Sequence, residues 1–114
     1  MKRLACLILL ALPTTLSAQA SCNGSTQVEM NFCARDKWQI ADDQLNALWK
    51  QVKPKADARG TGKALLTEQR AWLKRRDATC KPELESGGSA AQMFYWSCME
   101  EQTRARNAQL RAML

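Results

Sequence analysis

Four cysteines, Cys22, Cys33, Cys80 and Cys98, constrain the fold of this chain more than any other feature of its 114 residues. A fifth, Cys6, falls inside an N-terminal leader. In a short chain such a set forms either a disulfide framework or a metal site. Zinc is excluded by spacing, because there is no C-x-x-C pair and no histidine anywhere. Two disulfides remain, with three possible pairings. Proximity favours Cys22 with Cys33 and Cys80 with Cys98, each closing a short loop and each contributing about 3 kcal/mol by restricting the unfolded chain. No metal or other cofactor is called for.

Disulfides need an oxidising compartment, and the leader supplies a route to one. Lys2 and Arg3 precede an apolar run from Leu4 to Leu12, followed by Pro13 and then Ala18-Gln19-Ala20. That is the layout of a secretory signal with an A-x-A cleavage site. The apolar run is less than half the ~20 residues a spanning helix needs, and no later segment approaches that length. Residues 1–20 are therefore read as a signal peptide cleaved after Ala20, and residues 21–114 as one periplasmic or secreted domain without a transmembrane segment. Lipoprotein anchoring at Cys22 is disfavoured, since Gln19 stands where such signals carry an apolar residue. A domain of about 94 residues buries only about two thirds of its unfolded surface, so the disulfides supplement a modest core. Without Lys2 and Arg3, the 17 basic residues become 15 against 11 acidic ones, a formal charge of +4.

The periodicity is helical throughout. Thr26 and Glu29 fit a capping box, and Trp38, Ala41, Leu45, Leu48, Trp49 and Val52 recur at three- and four-residue steps behind it. This predicts a first helix from about Thr26 to Lys53, stopped or kinked at Pro54, with Gly60 and Gly62 in the connection. Leu65, Leu66, Trp72 and Leu73 mark a second helix from Lys63 to Cys80, ended by Pro82. The segment Glu83 to Ser89 then reads as an acidic, glycine-containing loop. Ser89 and Gln92 form a second capping box opening a third helix, whose stripe holds Tyr95, Cys98, Met99, Leu110 and Met113. Only Val28, Ile40 and Val52 in the domain are β-branched aliphatics, and no alternating run exists. The predicted fold is all-α, a small antiparallel three-helix bundle stapled by two disulfides.

The chain is not expected to be an enzyme. With no histidine, a serine or cysteine nucleophile lacks its usual base, and no catalytic residue is assigned. Asp42 with Asp43 and Glu100 with Glu101 resemble acid pairs, but adjacent helical positions point apart and cannot flank one glycosidic bond. Lys74-Arg75-Arg76 suits an anionic polymer of the envelope; nucleic acid is not a partner for an exported chain. Arg76 and Arg106 return to the apolar stripes, which predicts structural ion pairs or stems lying over tryptophan rings, with Asp42 a candidate partner. Trp38, Trp49 and Trp72 fall on core stripes, whereas Trp96 is predicted to be exposed beside the acidic loop. Clamped by Cys80–Cys98, that loop is a candidate binding surface comprising Glu83, Glu85, Ser86, Ser89 and Trp96.

The run Glu29-Met30-Asn31-Phe32-Cys33-Ala34, then Ala41-Asp42 with Leu45-Asn46, Gln69-Arg70-Ala71-Trp72, Arg76-Asp77-Ala78, Cys80, Gly87-Gly88-Ser89, and Cys98 with Thr103, Arg106 and Leu110, resembles the LprI-type lysozyme-inhibitor domain across nearly the whole domain. The resemblance implies an exported helical domain whose partner is a lysozyme or another envelope protein, held by non-covalent binding. It brings no agreed inhibitory site. Its motif residues Asp42, Arg70, Trp72, Arg76, Asp77, Thr103 and Arg106 are read as structural. Common animal lysozymes are basic, so a +4 inhibitor needs a local acidic patch, for which Glu83 and Glu85, with Glu100 and Glu101, are the candidates. The alternative is an envelope adaptor that holds anionic polymers through Lys74 and Arg75.

Overall fold

A computed structural model describes residues 20–114; the signal-peptide reading of residues 1–20 falls almost wholly outside the described residues. A 3-10 turn, Ala20–Asn23, leads into three helices, α1 (Gln27–Ala58), α2 (Gly62–Glu85) and α3 (Ala91–Arg111), and there is no strand among the described residues.

The first helix starts where the capping box predicts. The Thr26 hydroxyl oxygen accepts the Glu29 backbone N–H at 3.2 Å, and the hydroxyl donates to Glu29 Oε1 at 2.7 Å. The helix then continues past Pro54 to Ala58, the outcome in which the proline does not stop it. Pro54 is exposed, so its ring and its missing donor face water. Its neighbours Val52 and Ala56 are buried, and Lys53 pairs with Asp57 at 2.7 Å across it. Burial on both sides outweighs the local penalty of proline. The helix ends in a Schellman turn: Gly60 adopts φ 79°, its N–H donates to the Asp57 carbonyl, and the Thr61 N–H reaches back to Ala56.

The second helix passes through Pro82 in the same way, held by the buried, cross-linked Cys80 just before it. Glu83 and Glu85 therefore lie in the last turn of α2 and not in a loop. The connection shrinks to residues 86–90, where Gly87 and Gly88 take left-handed conformations (φ 73° and 84°) that stop the helix. The Ser89/Gln92 capping box does not form. Helix α3 begins after Ala90 without a side-chain cap, and the Ser89 carbonyl instead accepts from Asn31 Nδ2 at 3.0 Å.

Up-down-up topology makes α1 and α3 parallel neighbours, with α2 antiparallel to both. The two parallel helices form the closest pair, α2 leans on α3, and α1 touches α2 least. Both disulfides join the cysteines that proximity favours, Cys22–Cys33 with Cα atoms 4.7 Å apart and Cys80–Cys98 at 5.6 Å.

The interior is layered along the bundle axis. At one end Leu45, Leu48, Val52, Ala56, Leu65, Trp72 and Leu110 form the apolar core. Beside it lies a buried polar layer. Arg106, 2% exposed, donates from Nε to Gln69 Oε1 at 2.7 Å and from Nη1 to Glu68 at 2.8 Å and Gln109 at 2.9 Å. Arg76 donates to Asp77 at 3.1 Å and to the Thr103 hydroxyl at 3.5 Å, and both guanidinium groups approach the Trp72 ring, at 5.1 and 6.0 Å. Asn107 Nδ2 donates to the Ala41 carbonyl at 3.0 Å. Asp42 is partner to neither arginine, which corrects its predicted pairing. Trp49 packs against the apolar core, and the far end of the bundle holds the disulfides with Phe32, Trp38, Tyr95 and Trp96.

Candidate functional site

Where the N-terminal halves of α1 and α3 run side by side, they leave a groove of about 450 Å³. One wall is the face of α1 that carries Val28, Asn31, Phe32 and Arg35; the other is the 86–90 turn and α3, with Gly88, Ser89, Gln92 and Trp96. Helical spacing explains the first wall, since positions 28, 31, 32 and 35 share one side of a helix. Val28 is 62% and Phe32 49% exposed, an unusual amount of bare apolar surface for one stretch of helix.

Disulfides brace the elements on either side of the groove. Cys33 binds the leading turn to α1 next to Phe32, while Cys98 ties α3 to α2 two residues past Trp96. Gln27 donates to Asn31 at 2.9 Å and Asn31 to the Ser89 carbonyl, so the two walls are laced together at the turn. Trp96, predicted to be exposed, is half-buried. Its ring lies 4.8 Å from Trp38, tilted by 35°, and 4.8 Å from Tyr95, edge-on at 67°. A large aromatic wall is thus locked in place before any ligand arrives.

Electrostatically the groove carries one charge. The Arg35 guanidinium sits 5.5 Å from the centre of the Phe32 ring, and no carboxylate lines the cavity. The predicted acidic surface is not built there. Glu83 and Glu85 are on the last turn of α2, Ser86 caps that helix through its hydroxyl to the Glu83 carbonyl at 2.7 Å, and Glu85 faces Lys81. Glu100 is paired with Arg104 at 2.7 Å. Two of the four candidate acids, Glu85 and Glu100, thus sit beside a base of their own helix. Of the predicted binding residues the structure brings Ser89 and Trp96 together; Val28, Asn31, Phe32, Arg35 and Gln92 join them unpredicted. The exposed apolar stripe Val28, Phe32 was the signal available for finding them.

The groove contains no nucleophile with a base and no ligand set for a metal. Among the described residues no three His, Cys, Asp or Glu side chains group as metal ligands, and no helix is long and apolar enough to cross a membrane. Lys74 and Arg75 are exposed on the outer side of α2, but Arg76 turns inward to Trp72, so the basic run does not present three charges to one surface.

Comparison with known proteins adds a family. A family model described as Lysozyme inhibitor LprI matches residues 17–110. An uncharacterized protein of Rhizobium meliloti (strain 1021) is 31% identical over 103 residues, covering 78% of this chain and 74% of the relative. No solved structure matches.

Proposed function

Because the chain belongs to the lysozyme inhibitor LprI family, we propose that it is an exported inhibitor that binds a lysozyme non-covalently through the groove between α1 and α3. The observation that carries the reading is that groove's aromatic walls, Phe32 and Trp96, each one or two residues from a disulfide-bonded cysteine. Binding energy concentrates in a few aromatic or arginine anchors set in rigid surroundings, and Phe32, Arg35 and Trp96 supply all three here. Rigidity established at folding lowers the entropy lost on association. The lone Arg35 selects a partner element bearing a carboxylate among apolar atoms, and glycoside hydrolysis rests on carboxylates flanking a sugar cleft. The leader would deliver the chain to the compartment in which its disulfides persist. Binding of anionic polymers through Lys74 and Arg75 is the weaker reading, given that Arg76 is turned into the interior.

The test is a titration of the purified protein into lysozymes of several types acting on cell walls. Saturable inhibition is expected, weakened at least ~30-fold by Phe32→Ala or Trp96→Ala if each is an anchor of about 2 kcal/mol. Undiminished activity of every lysozyme at large molar excess would remove the proposal.

A further inference from the structure

A second groove, sharing no residue with the first, runs between α1 and α2, the pair of helices in least contact. It encloses about 290 Å³ over Leu45, with half-buried Trp49 on the α1 wall and half-buried Leu66 and Leu73 on the α2 wall. Each wall also holds one charge, Asp42 on α1 and Arg70 on α2. Among the described residues the two are not bonded to each other, nor does either meet an oppositely charged partner. An apolar floor between an unpaired acid and an unpaired base is a surface that complements itself.

We infer that this α1/α2 face is the interface of a two-fold symmetric dimer of this chain, in which Asp42 of each copy meets Arg70 of the other. A two-fold axis lying in the interface parallel to the helices sets α1 of one copy against α2 of its mate. One acid and one base then make two equivalent ion pairs around the buried Trp49, Leu66 and Leu73 side chains. A partner of single-signed charge would leave either Asp42 or Arg70 facing its own sign, which favours a second copy. Because the α1/α3 groove lies about 20 Å further along α1, each copy would keep its own.

Charge reversal tests the geometry. In sedimentation equilibrium of protein produced from the full-length chain, the wild type is expected to be a dimer at micromolar concentrations. Asp42→Arg and Arg70→Asp should each weaken self-association roughly ten- to hundredfold, since one substitution sets like charges together at two symmetric contacts. An equimolar mixture of the two variants should form a dimer again, as should the double variant, because both restore every pair. Far-UV circular dichroism checks that each variant is folded. Should a reversal unfold the chain, Asp42→Asn and Arg70→Gln take its place, each expected to weaken association severalfold. A wild type that stays monomeric, single variants that associate normally, or a mixture that remains monomeric would each overturn the assignment. The lysozyme titration is read separately, so failure of one leaves the other standing.

Discussion

Replacing Arg106 by leucine tests the buried polar layer. The guanidinium is 2% exposed and donates to Gln69, itself 7% exposed, to Glu68 and to Gln109. Its loss strands the buried Gln69 oxygen, which costs about 1–3 kcal/mol, and removes a cation–π contact with Trp72 worth about 1 kcal/mol. The Glu68 carboxylate is 53% exposed, so after solvent screening its ion pair adds only a few tenths of a kcal/mol. Against this, leucine ends the desolvation of a charge whose Nη2 has no hydrogen-bond partner. The net loss is about 2–3 kcal/mol, a fall in Tm of about 10–20 °C for a domain of this size. Glu68→Ala should change Tm by no more than about 4 °C. Adding Gln69→Leu to Arg106→Leu removes the stranded acceptor and should recover about 1 kcal/mol or more. With the Gln69→Leu single variant included, thermal and urea unfolding followed by far-UV circular dichroism, with disulfides intact, gives all four corners of the Arg106/Gln69 cycle. The reasoning is refuted if Glu68→Ala destabilises as much as Arg106→Leu, or if the double variant is less stable than Arg106→Leu alone.

Replacing Cys80 and Cys98 together with alanine should cost about 3 kcal/mol, whereas opening Cys22–Cys33 frees only a turn that rests on α1 alone and should lower Tm less; calorimetry distinguishes them. Pro54→Ala and Pro82→Ala each restore a missing helical donor at an exposed position and should raise stability by about 1–2 kcal/mol, read from urea midpoints. Gly88→Ala meets no neighbouring atom but must hold φ at 84°, so it should lose about 1 kcal/mol from backbone strain alone in the same assay.

What the sequence made legible were the features set by nearest neighbours. Three- and four-residue spacing located the helices, the Thr26–Glu29 box located the start of α1, and short loops located the disulfides. Arg76 and Arg106 could be placed on inner stripes because their spacing from Trp72 and Met99 is local. Features decided at long range were not legible. Pro82 read as a stop, and Pro54 as a stop or a kink, because no local pattern announces that Ala56 and Cys80 are buried against other helices. Ser89 and Gln92 form a good capping box on paper, yet α3 starts one residue later, with Ala90 at its cap position. Trp96 looked exposed because its shield is Trp38, on another helix. The α1/α3 groove is assembled from three separated segments, so only its Ser89 and Trp96 corner could be anticipated from the loop.

The parallel pairing of α1 with α3 also sets the order in which the molecule can assemble. A chain that emerges N-terminus first, from a ribosome or through a translocation pore, releases α1 long before its main partner. The intervening α2 touches α1 least, so the early helical hairpin gains little by closing. The core must wait for Leu110, on the last of the three helices to be made. The bundle therefore behaves as a latch that only α3 can shut.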